Sequence, residues 1–165
     1  MRRWPNRSTV LAHAPGRKAS GVTLVEMMVA TAILAILAAL AAPSFTELVA
    51  SQRGKAAAST LHAMLLKARS EAIKRNADVT LAPLASDGWE QGWRILDPSL
   101  PSRALDRQGA LKGATISGPA SVVYQPSGRI AGGAPEFDIA IQGSAAHRCV
   151  SVDLGGRPQV KASSC

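Results

Sequence analysis

The side chains able to do chemistry are few and scattered along this chain. Cys149 and Cys165 can form a disulfide or, with His147, offer three ligands to a metal ion; His13 and His62 are the other imidazoles. Cysteine-based metal sites favour close pairs such as Cys-x-x-Cys, and no such pair is present, so no metal is expected. A bridge is the better use of two sulfurs in an oxidising compartment, where closing such a loop is worth about 3 kcal/mol. No Gly-x-Ser-x-Gly, His-Glu-x-x-His, P-loop or dinucleotide fingerprint occurs, so neither a cofactor nor an enzyme is expected. Trp89 and Trp93 flank Gln91-Gly92 and have rings that can stack on a ligand or a base. Their spacing across a glycine, ahead of an apolar strand, instead predicts core packing under a turn, and Tyr124 beside Val122-Val123 reads the same way. Arg148, Arg157 and Lys161 surround a final hairpin, as a small phosphate-contacting patch or as ordinary surface cations. The remaining group is Glu26, a carboxylate inside an apolar run. At a bilayer centre it costs roughly 2.5–3.5 kcal/mol, so it needs a shallow position or a cationic partner.

The elements that must position these groups begin with that run. From Val22 to Ala42 only Thr23, Glu26 and Thr31 are polar, and 21 residues of helix reach about 31 Å, the thickness of a hydrocarbon core. Ahead of it, residues 1–21 carry Arg2, Arg3, Arg7, Arg17 and Lys18 with no acidic residue. They lack the apolar core that a secretory signal places before its cleavage site. A cut after Gly21 would discard the basic leader and keep the hydrophobic helix. The formal charge of +8 owes five of its positive charges to the leader, and the rest of the chain has 14 basic against 11 acidic residues. The headline charge is therefore a topology signal that holds the leader in the cytoplasm, and it does not imply indiscriminate polyanion binding.

Pro43 removes a helix hydrogen bond and predicts a kink. The helical pattern then resumes, with Ala57, Leu61, Met64, Leu65, Ala68 and Ala72 forming one stripe at a 3.6-residue period. Arg53, Lys55, Lys67, Arg69, Glu71 and Lys74 lie mainly off it and read as a solvated face, the last cations favoured by the helix dipole. The helix should stop near Asn76. Beyond it come short β-type runs at 79–81, 92–96, 114–117, 122–125, 137–141, 149–154 and 157–160. Ser86-Asp87-Gly88 and Asp97-Pro98 punctuate them, and Pro126-Ser127-Gly128 and Gly155-Gly156 read as tight hairpin turns. Seven strands without intervening helices predict an antiparallel sheet under the helix stripe, with residues 97–113 as a variable loop.

These residues resemble a family. Gly21, Val22-Thr23-Leu24-Val25 and Glu26 are similar to the cleavage and methylation signal of type IV pilins and type II secretion pseudopilins. Ala41-Ala42-Pro43-Ser44-Phe45, the string from Leu66 to Asn76, Trp89-Glu90-Gln91-Gly92-Trp93 and Gly156-Arg157 resemble the GspH/FimT branch of minor pilins and pseudopilins, the FimT side more than the type II secretion side. The resemblance implies an α+β, type IV pilin-like fold, a long N-terminal helix packed on an antiparallel β-sheet head. It implies cleavage after Gly21 by prepilin peptidase, N-methylation of Val22, and pairing of Glu26 with a neighbouring subunit's amino terminus. The expected organisation is a leader at 1–21, a transmembrane half-helix at 22–42, an amphipathic half at 43–76 and a periplasmic head at 77–165. Its partners would be the inner membrane, prepilin peptidase and other pilins or pseudopilins of a filament or tip complex. Some relatives on the FimT side take up DNA for natural transformation through a Gly-Arg-x-Arg tail motif. Here Gly156-Arg157-Pro158 is followed by Gln159, leaving Lys161 as a displaced substitute. DNA is thus an alternative partner, and an uncleaved membrane-anchored periplasmic adaptor or enzyme is a third reading.

Overall fold

A computed structural model describes residues 21–86 and 88–165, with backbone only for residues 41–43. The leader, including His13, and Asp87 lie outside the described residues, as does the side-chain geometry of the kink expected at Pro43. The chain divides into two compact units that meet between Leu40 and Ala41.

Helix α1 runs over Leu24–Arg75 and contributes to both units. Its start is fixed locally: Thr23 is the N-cap, and the Glu26 amide donates to its hydroxyl oxygen at 3.2 Å. In the first unit every side chain from Leu24 to Leu40 is exposed. In the second unit the expected stripe is buried, with Leu61, Leu65, Ala68 and Ala72 wholly inaccessible. Three of the six stripe residues are alanines, which let sheet side chains approach the helix closely. The end at Arg75 is set by Asn76, whose φ of 50° is left-handed. The Ala77 amide donates to the Ala72 carbonyl and the Asn76 amide to the Ile73 carbonyl, closing the last turn.

Eight strands follow: β1 Val79–Ala85, β2 Gly88–Leu96, β3 Ala104–Gln108, β4 Ala114–Ser117, β5 Val122–Tyr124, β6 Glu136–Ile141, β7 His147–Val152 and β8 Pro158–Lys161. They form two four-stranded antiparallel sheets, ordered β3-β2-β1-β5 and β4-β6-β7-β8. The expected loop at 97–113 is corrected in its middle, because β3 pairs with β2 from Trp93↔Gln108 to Leu96↔Ala104. Asp106 of that strand reaches Lys67 of α1 at 2.6 Å, a contact that holds β3 at the sheet edge.

Strand alternation puts Val79, Leu81, Trp93, Ile95, Val122 and Tyr124 of the first sheet into the core, with Phe137, Ile139, Val150 and Val152 of the second. Trp89 joins the sheets: its ring meets Phe137 edge-on at 4.8 Å and Trp93 at 6.3 Å, while its Nε1–H donates to the Pro119 carbonyl at 2.8 Å. The tryptophan pair is core packing, as its spacing predicts. Both anticipated hairpin turns form. Gly128 donates to the Gln125 carbonyl, and Gly156 donates to the Asp153 carbonyl, each at 2.8 Å and each glycine with positive φ.

Candidate functional site

Three places carry the groups singled out by sequence. The first is the start of α1. Gly21 and Val22 are exposed just ahead of the Thr23 cap. Glu26 sits in the first helical turn, where a carboxylate is favoured by the unpaired amides. Around and beyond it, Leu24, Val25, Met27, Met28, Val29, Ile33, Leu34, Ile36, Leu37 and Leu40 each have more than half their surface exposed. Burying a side chain of this size is worth about 1.5–3 kcal/mol, so the segment is shaped for a non-aqueous surrounding. By length and composition α1 is able to cross a membrane.

The second place is the disulfide. Cys149 of β7 and Cys165 are bridged, with Cα atoms 5.0 Å apart and a sequence separation of 16. Both sulfurs are consumed, which removes two of the three ligands in the His147 metal alternative. The tail is held further by the Cys165 amide, which donates to Asp138 Oδ1 at 3.3 Å. Asp138 Oδ2 lies 3.0 Å from His147 Nδ1. Sequence reading gave His147 no acidic partner; the β6–β7 pairing supplies one, through a register that no local pattern announces.

The third place is the terminal hairpin. Its three cations do not converge. Arg157 is bound internally: its amide and Nε donate to the two carboxylate oxygens of Asp153, each at 2.9 Å. These contacts hold the Asp153 carboxyl below its usual range, the backbone donation being the larger cause. Lys161 pairs across the ladder with Cys149 and shares its face. Arg148 precedes Cys149 on the same strand and so points to the opposite face, where its aliphatic stem crosses α1 at Gly54.

Arg69 has a structural role that its sequence position does not announce: placed off the apolar stripe it predicts a solvated cation, yet its Nε donates to the Gly128 carbonyl at 2.9 Å and its Nη2 to the Gly155 carbonyl at 3.2 Å. One guanidinium thus clasps a turn from each sheet. Gly156 makes this approach feasible, since a Cβ there would overlap the Gly128 carbonyl oxygen. Another cation of the helix is also engaged: Arg75 holds Glu71 at 2.7 Å and approaches buried Asp97 at 3.9 Å.

A helix whose one stripe lies on antiparallel sheet, and whose N-terminal extension is apolar on all sides, defines the class of minor pilins and pseudopilins of type IV pilus and type II secretion systems. The chain belongs to the GspH family: residues 57–156 match the family described as type II transport protein GspH. Residues 16–42 match the prokaryotic N-terminal methylation motif. Among solved structures, the type IV minor pilin FimU of Pseudomonas aeruginosa is similar at 22% identity and a TM-score of 0.59, covering 67% of this chain and 90% of that one. The minor pseudopilin EpsH of the type 2 secretion system of Vibrio cholerae is similar at 14% identity and a TM-score of 0.54, covering 67% of this chain and 97% of that one. At these identities the likeness is one of fold. No curated protein matches the chain.

Proposed function

We propose that the chain is a structural subunit of a type IV filament system, made as a membrane-anchored precursor and processed after Gly21. The observation that carries this reading is the coexistence, in one chain, of the methylation motif at 16–42 and the GspH match at 57–156. Prepilin peptidase removes residues 1–21, and Val22 becomes the methylated amino terminus. Residues 22–42 hold the subunit in the inner membrane, with the amphipathic part at 43–76 and the head at 77–165 on the periplasmic side. On assembly, neighbouring helices replace acyl chains around the exposed apolar residues. Glu26 seeks a neighbour's terminal ammonium, because a carboxylate carried into an apolar bundle is stable only with a cationic partner.

Intact-mass and N-terminal peptide analysis of the protein from native membranes, with and without prepilin peptidase, tests the processing. A peptidase-dependent start at methylated Val22 is expected; a start at Met1 in both samples rejects it and leaves an uncleaved anchored adaptor. For Glu26, the Glu26→Ala variant should insert normally and assemble poorly. Normal assembly of that variant removes the proposed role. The DNA-uptake alternative would need Arg148, Arg157 and Lys161 to act together, and their separate placements favour the structural subunit.

A further inference from the structure

The outward face of the first sheet carries an unusual pair of charges. Arg94 of β2 and Arg107 of β3 stand directly opposite each other in the antiparallel register. Trp93 and Ile95, on either side of Arg94, are both fully buried, so Arg94 projects away from the core. Like charges directly opposite on neighbouring strands are destabilising, and a fold without a use for them would place an acid at one position. The adjacent acid, Asp106, faces the other way and is taken by Lys67. Neither arginine side chain has a hydrogen-bond or ion-pair partner among the described residues, and Arg94 Nε is inaccessible as well as unpaired. With no acid of this chain set beside them on this face, the two guanidinium groups leave their counter-charge to be supplied from outside the fold.

We propose that Arg94 and Arg107 form a docking site for a carboxylate side chain of a partner protein, presented between apolar residues. Two planar guanidinium groups side by side match a carboxylate's two oxygens and their roughly four lone-pair directions better than a point cation would. The surroundings fit an acidic side chain flanked by apolar ones: Ala82 pairs with Arg94 on the β1 side, and Leu96 lies two residues along the same face, both half-buried. Two cations set among apolar side chains supply too few contacts to follow a phosphate backbone, whose binding grows with the number of phosphates neutralised. The occupant is therefore a protein segment and not a nucleic acid.

The test uses the full chain in detergent micelles and follows the arginine Nε–H resonances. The probes are the peptides acetyl-Leu-Glu-Leu-amide and acetyl-Leu-Gln-Leu-amide and an oligothymidylate. The glutamate peptide should move the Arg94 and Arg107 signals. The glutamine peptide, and the glutamate peptide on Arg94→Gln or Arg107→Gln, should bind at least about tenfold more weakly, the loss expected for one charge-assisted contact. Equal response to both peptides, response to neither, or preferential response to the oligothymidylate overturns the proposal. Because the pair is held against its own repulsion, Arg107→Gln should keep or raise the melting temperature. A fall would show that the pair serves the fold instead. The peptides probe the pair directly, so this outcome is independent of processing at Gly21.

Discussion

Leu34 and Leu65 are leucines of the same helix, yet Leu34 is 64% exposed and Leu65 is wholly buried. Backbone hydrogen bonding and helix propensity are alike for both, so neither explains the difference. What differs is the circumference. Around Leu65 the apolar residues keep to one stripe, flanked by Arg69, Lys67 and Glu71; around Leu34 the neighbouring residues are apolar in nearly every direction. A stripe needs one packed neighbour, whereas an all-apolar surface needs a new solvent. The same helix therefore belongs to two environments, and it is the sequence around each leucine that assigns them.

The sharpest way to break this comparison is to shorten both leucines. Leu65→Ala should lose about 2–5 kcal/mol in denaturant unfolding of the full chain in micelles, while Leu34→Ala should stay within about 0.5 kcal/mol. Equal losses would mean that both segments are held by the head. Next, Cys165→Ser should lower the stability of the second unit by about 3 kcal/mol and leave micelle partitioning unchanged. Reductant should reproduce that loss in the parent protein and add nothing to the variant. Gly156→Ala should lose about 2 kcal/mol, because φ there is +79° and the new methyl meets the Gly128 carbonyl.

The smallest effect is electrostatic and also confined to the second unit. The hydrogen bond from Lys67 holds the Asp106 carboxyl below its usual range, and Asp106 raises Lys67 in return. A depressed carboxyl stabilises the fold above its unfolded pKa and loses that contribution as pH falls through the folded value. Lys67→Met should therefore flatten part of the acid limb of the stability curve. The change will be slight, since the pair is partly exposed to solvent. An unaltered acid limb would assign the contribution elsewhere.

The elements with a strong local period were legible in the sequence: the apolar run, the six-residue stripe, the two glycine turns and the paired tryptophans. The expected strand at 114–117 is met by β4 with the same limits, and the helix ends within one residue of Asn76. β3 was not legible, because Ala104–Gln108 is short and largely polar; it is a strand through its pairing with β2 and through the reach of Lys67. Nor was the division into two sheets, since turn residues report where a chain reverses and not which strand it joins. Arg69 and the His147–Asp138 pair share this difficulty. Each has the composition of an ordinary surface residue, and its partners come from a register or a turn set elsewhere in the chain.

The Arg69 clasp also bears on how the head breathes. Its two acceptor carbonyls belong to turns that otherwise sit in separate ladders, one beyond β5 and one between β7 and β8. With a single guanidinium serving both, opening one turn loosens the other, and the close seat of Gly156 on Gly128 reinforces the coupling. The two turns thus belong to one cooperative opening unit, and their amides should exchange with solvent together although they are distant in the chain.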